Sequence, residues 1–296
     1  MAKLLACILV LWATSCLAGD TVLVFGGKTG WIGEKIVRIL QEQGENPICA
    51  TARLEDRQAI IAEIEKTQPQ RIINAAGIIG KPNVDWCEDH KLETIRTNVM
   101  ATLVLMDVAY EKNLHVTNIS TGCIYHYDEN HPVGSDIGFT EEEKPNFIGS
   151  FYSRTKGMLE ELISHYPNVL NLRVKMPFDE EKGFVAKIIH YARVVNIPNS
   201  LCDLNSLLPK AVDMSKKEVT GIFNFVNPGT VSHNQVLELY KKYVDPAYHY
   251  ENFSIEEHNA CLKARRANAE LNPAKLLALY PDIPHIHDAL ILLFTK

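Results

Sequence analysis

The 296-residue sequence is 46% hydrophobic and 22% charged, a balance that fits a packed globular chain and excludes a largely disordered one. Its formal net charge of -6 gives no electrostatic reason to expect nucleic acid as a partner, so an anionic ligand must be held by local cations. The seven cysteines, at 7, 16, 49, 87, 123, 202 and 261, form no CxxC pair and no zinc-like spacing, so no metal site is expected.

In chain order, Lys3 precedes an apolar run from Leu4 to Ala18, with the small residues Cys16 and Ala18 before Gly19. Residues 1–18 therefore have the layout of a secretory signal peptide, and the run is too short for a comfortable membrane span. Read otherwise, they are an extension that the core fold does not need. Apolar runs flanked by turn residues predict buried strands at Thr21–Phe25, Pro47–Thr51, Arg71–Ala75, His115–Ser120 and Val169–Val174. Helical periodicity fills the gaps, over Glu34–Gln43 (which stops at Gly44), Leu54–Thr67 and Leu92–Lys112. Strand alternating with helix implies an α/β fold, a Rossmann-type doubly wound parallel sheet with helices on both faces. After about Lys175 the pattern turns irregular, with prolines at 177, 198, 209, 228, 246 and 273. Residues 20–175 are thus expected to form the nucleotide-binding domain, and 176–296 mainly a smaller C-terminal substrate lobe.

The segment Val22–Gly33 reads as strand, glycine-rich turn, then helix. Gly27, Gly30 and Gly33 have the GxxGxxG spacing that lets a backbone approach a pyrophosphate at a helix N-terminus. Lys28, Thr29, Trp31 and Ile32 complete the loop. An NAD enzyme usually carries an acid at the end of the second strand, to bind the ribose hydroxyls. Here Ala52-Arg53 stands in its place and Lys28 lies within the loop, so two cations suit the 2′-phosphate of NADPH. Asn74-Ala75-Ala76-Gly77 ends the third strand at the edge where cofactor contacts belong.

Tyr152 and Lys156 are four residues apart and share a helix face. A phenol is a poor proton donor at neutral pH unless an ammonium and the cofactor ribose lower its pKa. The order glycine loop, strand ending Ser120-Thr121-Gly122-Cys123, then YxxxK resembles the short-chain dehydrogenases, with Thr121 as the hydroxyl that binds the substrate carbonyl.

Longer stretches narrow the resemblance. Val84-Asp85-Trp86-Cys87-Glu88 and Arg266-Ala267-Asn268 followed by Lys275-Leu276 resemble segments of dTDP-4-dehydrorhamnose reductases, although Ala267 stands where those have proline. Lys28–Gly33, Asn83–Glu88, Glu93–Val99, Thr121–Ile124, Lys144–Phe147, Ser150–Ser153 and Val195–Ser200 resemble the plant epimerase/reductases that make nucleotide-activated L-rhamnose. The likeness runs from about Thr21 to the C-terminus.

It implies an enzyme that inverts carbons 3 and 5 of a nucleotide-linked 4-keto-6-deoxyglucose and then reduces carbon 4 with NADPH. Thr121, Tyr152 and Lys156 would be the reductase triad, with Cys123 and Lys187 (in Phe184-Val185-Ala186-Lys187-Ile188) serving the inversion. Asn98, Asn196, Arg266 and Asn268 are candidate cofactor or substrate contacts. No dehydratase segment precedes the fold, so a separate 4,6-dehydratase is expected to supply the ketone. UDP against dTDP stays open, as does the oligomeric state, a homodimer among the options. The need for NADPH, a sugar nucleotide and a free thiol favours the cytosol over secretion. Two rival readings remain: a 4-ketoreductase without epimerase activity, and a catalytically idle NADP-binding regulatory subunit, since relatives of the reductases serve methionine adenosyltransferase in that way.

Overall fold

The computed structural model describes residues 19–296; the signal-peptide-like segment 1–18 lies outside them. The first half runs β1 (Thr21–Phe25), α1 (Trp31–Glu42), β2 (Asn46–Cys49), α2 (Arg57–Thr67), β3 (Arg71–Asn74), α3 (Trp86–Asp89) and α4 (Lys91–Ile95). A π-helical turn (Arg96–Met100) then leads to α5 (Ala101–Glu111), β4 (His115–Thr121), α6 (Phe151–Ile163) and β5 (Val169–Val174). The second half holds β6 (Pro177–Phe178), α7 (Phe184–Ile188), β7 (Arg193–Val194), β8 (Cys202–Asp203), α8 (Leu204–Lys216) and β9 (Gly221–Phe225). It ends with α9 (His233–Tyr243), β10 (Glu251–Asn252), α10 (Ile255–Ala260), α11 (Ala274–Leu279) and α12 (Ile286–Thr295).

Six parallel strands make the main sheet in the order β2-β1-β3-β4-β5-β9. The order reverses between β1 and β3, and the crevice at their carboxyl ends is where such sheets take ligands. One face is covered by α1 and α8, through Ile36, Leu40, Leu204, Leu207, Leu208 and Val212. The other is covered by α2, α5 and α6, through Ile60, Ile64, Leu105, Met106, Leu159 and Ile163. Burial on both faces explains why these strands read as continuous apolar runs.

The sheet interior also carries a polar line. Asn74, Asn118 and Asn171 stand in register on β3, β4 and β5 and bond side chain to side chain at 2.9 and 2.8 Å. Asn171 continues at 3.0 Å to Glu160 of α6, whose carboxylate pairs with the buried Arg173 at 2.7 Å. Each link satisfies a group that would otherwise be buried without a partner.

Several element boundaries depart from the sequence pattern, three of them for a plain local reason. β2 ends early because the amides of Thr51 and Ala52 turn to the Glu63 carboxylate (2.8 and 2.7 Å) instead of continuing the ladder. α2 starts at Arg57 because the Asp56 side chain caps it, accepting from the Ala59 amide at 3.0 Å. The single helix expected over Leu92–Lys112 is α4, a π-turn and α5, and the π-turn carries the buried Asn98.

The division near Lys175 does not divide the sheet. β9 is its sixth strand and α8 is one of its covering helices, so part of the expected substrate lobe belongs to the nucleotide-binding layer. The remainder has its own core, with Phe178, Val185, Ile188, Val194, Leu201, Val236, Leu237, Ile286 and Leu290.

Candidate active site

At the switch point, the β1–α1 loop is shaped by its glycines. Gly26 takes φ +78°, a left-handed conformation that disfavours any side chain. A Cβ on Gly33 would collide with the Gly26 carbonyl, so α1 lies close on the loop only because Gly33 has none. Its N-cap, Gly30, offers no side-chain acceptor, which leaves the first-turn N–H groups for an anion. These features fit a dinucleotide pyrophosphate. Lys28, Thr29 and Arg53 are exposed at the adjoining strand ends. The acid nearest the end of β2, Glu63, is spent on the Thr51 amide, the Thr51 hydroxyl and the Ala52 amide, which leaves Arg53 as the charge on that rim.

Several expected cofactor residues act on the cradle itself. The Asn74 side chain is fully buried and bonds Asn118 and the Ala76 amide, so it holds the β3 exit from beneath. Ala75 and Ala76 are half-buried along that exit, and the Ala75 carbonyl abuts Gly26. Asn98 closes a two-way bond with Ile78, accepting from its amide at 2.8 Å and donating to its carbonyl at 2.7 Å. Ile32 packs into the core. The Trp31 indole N–H donates to Asp179 at 2.6 Å, and Asp179 also pairs with Lys35 at 3.0 Å. Trp31 therefore ties the loop to the segment after β6, where Gly183 abuts its ring.

Beside the cradle, β4 delivers Thr121 and Cys123, and α6 delivers Tyr152 and Lys156. Ser150 caps α6 by accepting from the Ser153 amide at 3.0 Å. The Phe151 amide donates to Glu88 at 2.6 Å, which anchors the start of the helix. Burial pushes the Tyr152 phenol far above its ordinary value, the Cys123 sulfur adds to that, and a hydrogen bond with the Thr121 hydroxyl partly offsets both. Thr121 Oγ1 accepts from the Cys123 amide at 3.0 Å, which frees its own proton to point elsewhere. Lys156 is buried, and desolvation lowers its ammonium to about 8 against the opposing pull of Glu160, one turn along. Thr121, Cys123 and Tyr152 thus meet, with Lys156 one turn along α6 from the phenol.

Lys187 stands apart from that group. It is exposed in the last turn of α7, and no hydrogen bond or ion pair holds its ammonium among the described residues. Asn196 is exposed as well. Arg266 and Asn268 are both engaged. Arg266 pairs with Asp85 at 2.7 Å and donates to the Ala264 carbonyl at 2.7 Å. Burial works against the Asp85 charge, yet the Arg266 bond and charge hold its carboxyl below the usual range. Asn268 accepts from Asn199 at 3.0 Å, and its carbonyl accepts from the Tyr127 amide at 2.9 Å.

Motifs distant in sequence therefore meet here. The 83–88 stretch touches 264–266 through Asp85 and α6 through Glu88, while 196–200 touches 268 through Asn199. Sequence reading missed the positioning roles of Asp85, Glu88, Asn199 and Glu63, and missed the buried Lys175 altogether. The signal for Lys175 was a lysine directly after a buried strand, Leu172-Arg173-Val174-Lys175.

Comparison with known proteins agrees with this geometry. Residues 22–178 match the NAD dependent epimerase/dehydratase family. The chain is 50% identical over 269 residues to an Arabidopsis thaliana bifunctional dTDP-4-dehydrorhamnose 3,5-epimerase/dTDP-4-dehydrorhamnose reductase, covering 90% of this chain and 89% of that protein. It is 49% identical to an Arabidopsis trifunctional UDP-glucose 4,6-dehydratase/UDP-4-keto-6-deoxy-D-glucose 3,5-epimerase/UDP-4-keto-L-rhamnose-reductase, spanning 90% of this chain but 40% of that protein. The crystal structure of the UDP-rhamnose synthase from Acanthamoeba polyphaga mimivirus superposes with a TM-score of 0.89 at 38% identity, covering 94% of this chain and 99% of that one. A dTDP-4-dehydrorhamnose reductase from Bacillus anthracis, solved with NADP, shares the fold with a TM-score of 0.78 at 15% identity, over 93% and 98% of the two chains. The chain belongs to the NAD dependent epimerase/dehydratase family and, within it, to the group of rhamnose-forming epimerase/reductases.

Proposed function

We propose that the chain is a bifunctional 3,5-epimerase/4-reductase that converts a nucleotide-linked 4-keto-6-deoxyglucose to nucleotide-L-rhamnose with NADPH. The observation that carries this reading is the meeting of Cys123 with Thr121 and Tyr152 at one strand end, in a chain alike over 90% of its length to a bifunctional epimerase/reductase. NADPH fits the glycine cradle, with Lys28 and Arg53 toward its 2′-phosphate, and supplies the hydride for carbon 4. Thr121 holds the ketone oxygen and Tyr152 protonates it, while Lys156 bears on the ribose and the phenol. Before that, Cys123 removes the proton at carbons 3 and 5, which are acidic because the enolate is delocalised into the ketone. Lys187 returns a proton on the opposite face. Lys187 is exposed and bonded to none of the group, so in this role it meets the substrate from α7. Arg266, Asn268 and Asn196 border the substrate side.

A 4,6-dehydratase activity supplies the ketone, as a trifunctional relative that carries all three activities in its name suggests. We place the enzyme in the cytosol, where NADPH and a reduced Cys123 are maintained. As its oligomeric state we propose a homodimer through the neighbouring helices α5 and α6 and the π-turn, where Met100, Tyr110, Met158 and Leu162 are exposed.

The test is NADPH consumption with UDP- and dTDP-linked 4-keto-6-deoxyglucose, with identification of the product and exchange at carbons 3 and 5 in deuterated water. Cys123→Ser is expected to lose exchange at both carbons yet still reduce a substrate supplied already inverted, because a serine hydroxyl is far less acidic than a thiol. Exchange that persists at both carbons in that variant would remove Cys123 as the base, and absence of exchange in the intact protein would reduce the chain to a 4-ketoreductase. Absence of any turnover in the intact protein would favour the regulatory-subunit reading.

A further inference from the structure

Lys175 follows β5 directly and is fully buried. The Thr121–Val174 register and the Gly122 amide's bond to the Val174 carbonyl (2.9 Å) set it beside Gly122, one residue before Cys123. A Cβ added to Gly122 would lie 3.4 Å from the Lys175 Cβ. Its Nζ donates to the Ala267 carbonyl at 2.9 Å, and no carboxylate pairs with it among the described residues. Burying an ammonium without a counter-ion is costly, and proteins retain such a group where a negative charge arises beside it. The other buried cation of the site, Lys156, answers to the Glu160 carboxylate rather than to Cys123, and the remaining groups around Lys175 and Cys123 supply none. Burial drives the His126 imidazole toward its neutral form and keeps the Tyr152 phenol and the Cys87 thiol protonated, while Arg265 is exposed.

We propose that the Lys175 ammonium is the counter-charge that holds Cys123 as a thiolate for the inversion half-reaction, which makes Lys175 a positioning residue rather than a catalytic one. The role rests on the epimerase reading above. In the step it supports, an S–H bond forms as the carbon–hydrogen bond breaks, and the electron pair passes onto the ketone oxygen as an enolate. Lys175 keeps its own proton throughout and faces the neutral thiol once the proton has moved. Burial lowers the Lys175 ammonium and the Cys123 charge raises it, the mutual dependence expected of such a pair.

The experiment is the pH profile of Cys123 alkylation by iodoacetamide in the full chain, read by peptide mass spectrometry, alongside deuterium exchange into the keto sugar. Lys175→Gln removes the charge and keeps a donor for the Ala267 carbonyl; Lys175→Met is the second neutral variant should the first fail to fold. Either is expected to slow alkylation and exchange at pH 7 by about tenfold or more, with both recovering as the pH is raised, which is a shift of one unit or more. Lys175→Arg should stay near the intact profile. An unchanged alkylation profile in a folded neutral variant overturns the proposal, whatever the exchange shows. Exchange that survives in Cys123→Ser, while alkylation of the intact protein's Cys123 still depends on Lys175, would instead sink the role of Cys123 as the base and leave the pairing standing.

Discussion

The two sides of this active site are built in different ways. The cofactor side is local and made largely of backbone: one strand, a loop and a helix N-terminus within Thr21–Glu42, braced by Asn74 and Asn98. The substrate side is assembled from segments far apart in the chain. Asp85 meets Arg266, Glu88 meets the start of α6, and Asn199 meets Asn268. A backbone cradle tolerates changes around it as long as its glycines stay. A convergent site is sensitive to each cross-contact, because every one sets the position of a segment that carries others.

That contrast can be broken most sharply at the chemistry itself. Tyr152→Phe removes the proton donor and leaves the cradle intact, so reduction should fall by about 10²–10⁴-fold while NADPH titrates the protein almost unchanged. Near-normal turnover would mean that the phenol is not the donor. The next largest effect is on stability. Glu160→Ala leaves Arg173 charged and buried without its partner and opens the polar line to Asn171, at a cost of about 3–5 kcal/mol. Denaturant unfolding reads this directly; a loss no greater than that of an exposed control such as Lys217→Ala would show the pair to be unimportant.

The cross-contacts of the substrate side come next. Asp85→Asn and Arg266→Gln should each raise KM for the nucleotide sugar more than that for NADPH, and the double variant should cost less than the sum. A coupling of about 0.5–3 kcal/mol is the range for groups in contact. Strict additivity would show that the pair does not act as a unit.

These contrasts also explain what could be read in advance. The cradle was legible because its signals are contiguous: strand, spaced glycines, helix. So were the five strands, as apolar runs between turn residues, and the spacing of Tyr152 and Lys156. The second half was poorly legible, because α8 contains Pro209 and β9 is a five-residue strand that only its pairing with β5 identifies. Tertiary pairing is invisible to periodicity. Likewise Asn74 carries a side chain of the type expected at a cofactor edge, but its in-register neighbours Asn118 and Asn171 draw it into the sheet. Arg266 was singled out by resemblance alone; its partner Asp85 lies 181 positions away.

On the cofactor side a smaller effect is expected at the rim. Arg53 is exposed, so its contact with a 2′-phosphate is partly screened. Arg53→Ala should raise KM for NADPH about fivefold to tenfold and leave KM for NADH unchanged. Equal or better use of NADH by the intact enzyme would overturn the preference. Glu63→Gln, which keeps a side chain in place, should loosen the loop without reversing the choice of cofactor.

The smallest effect joins the two sides through Lys156. Burial lowers its ammonium from 10.5 to about 8, so the unfolded chain binds more protons than the folded one between those values. The cost of burying that charge is therefore full below pH 8 and is relieved as the pH rises toward 10.5. A bound anionic dinucleotide favours the ammonium and moves its titration back upward. Cofactor binding should then take up a fraction of a proton between about pH 8 and 10, and almost none at pH 6.5, where Lys156 is charged in both states. The Tyr152 phenol is held protonated across that window before the cofactor binds, and Tyr152→Phe removes any proton that it gives up on binding. Calorimetry in buffers of different ionisation enthalpy measures the uptake. Lys156→Met should abolish it, whereas Lys175→Gln, whose cation faces the substrate side, should leave most of it. Uptake that survives in Lys156→Met would mean that the proton goes elsewhere, and that Lys156 does not sense the cofactor.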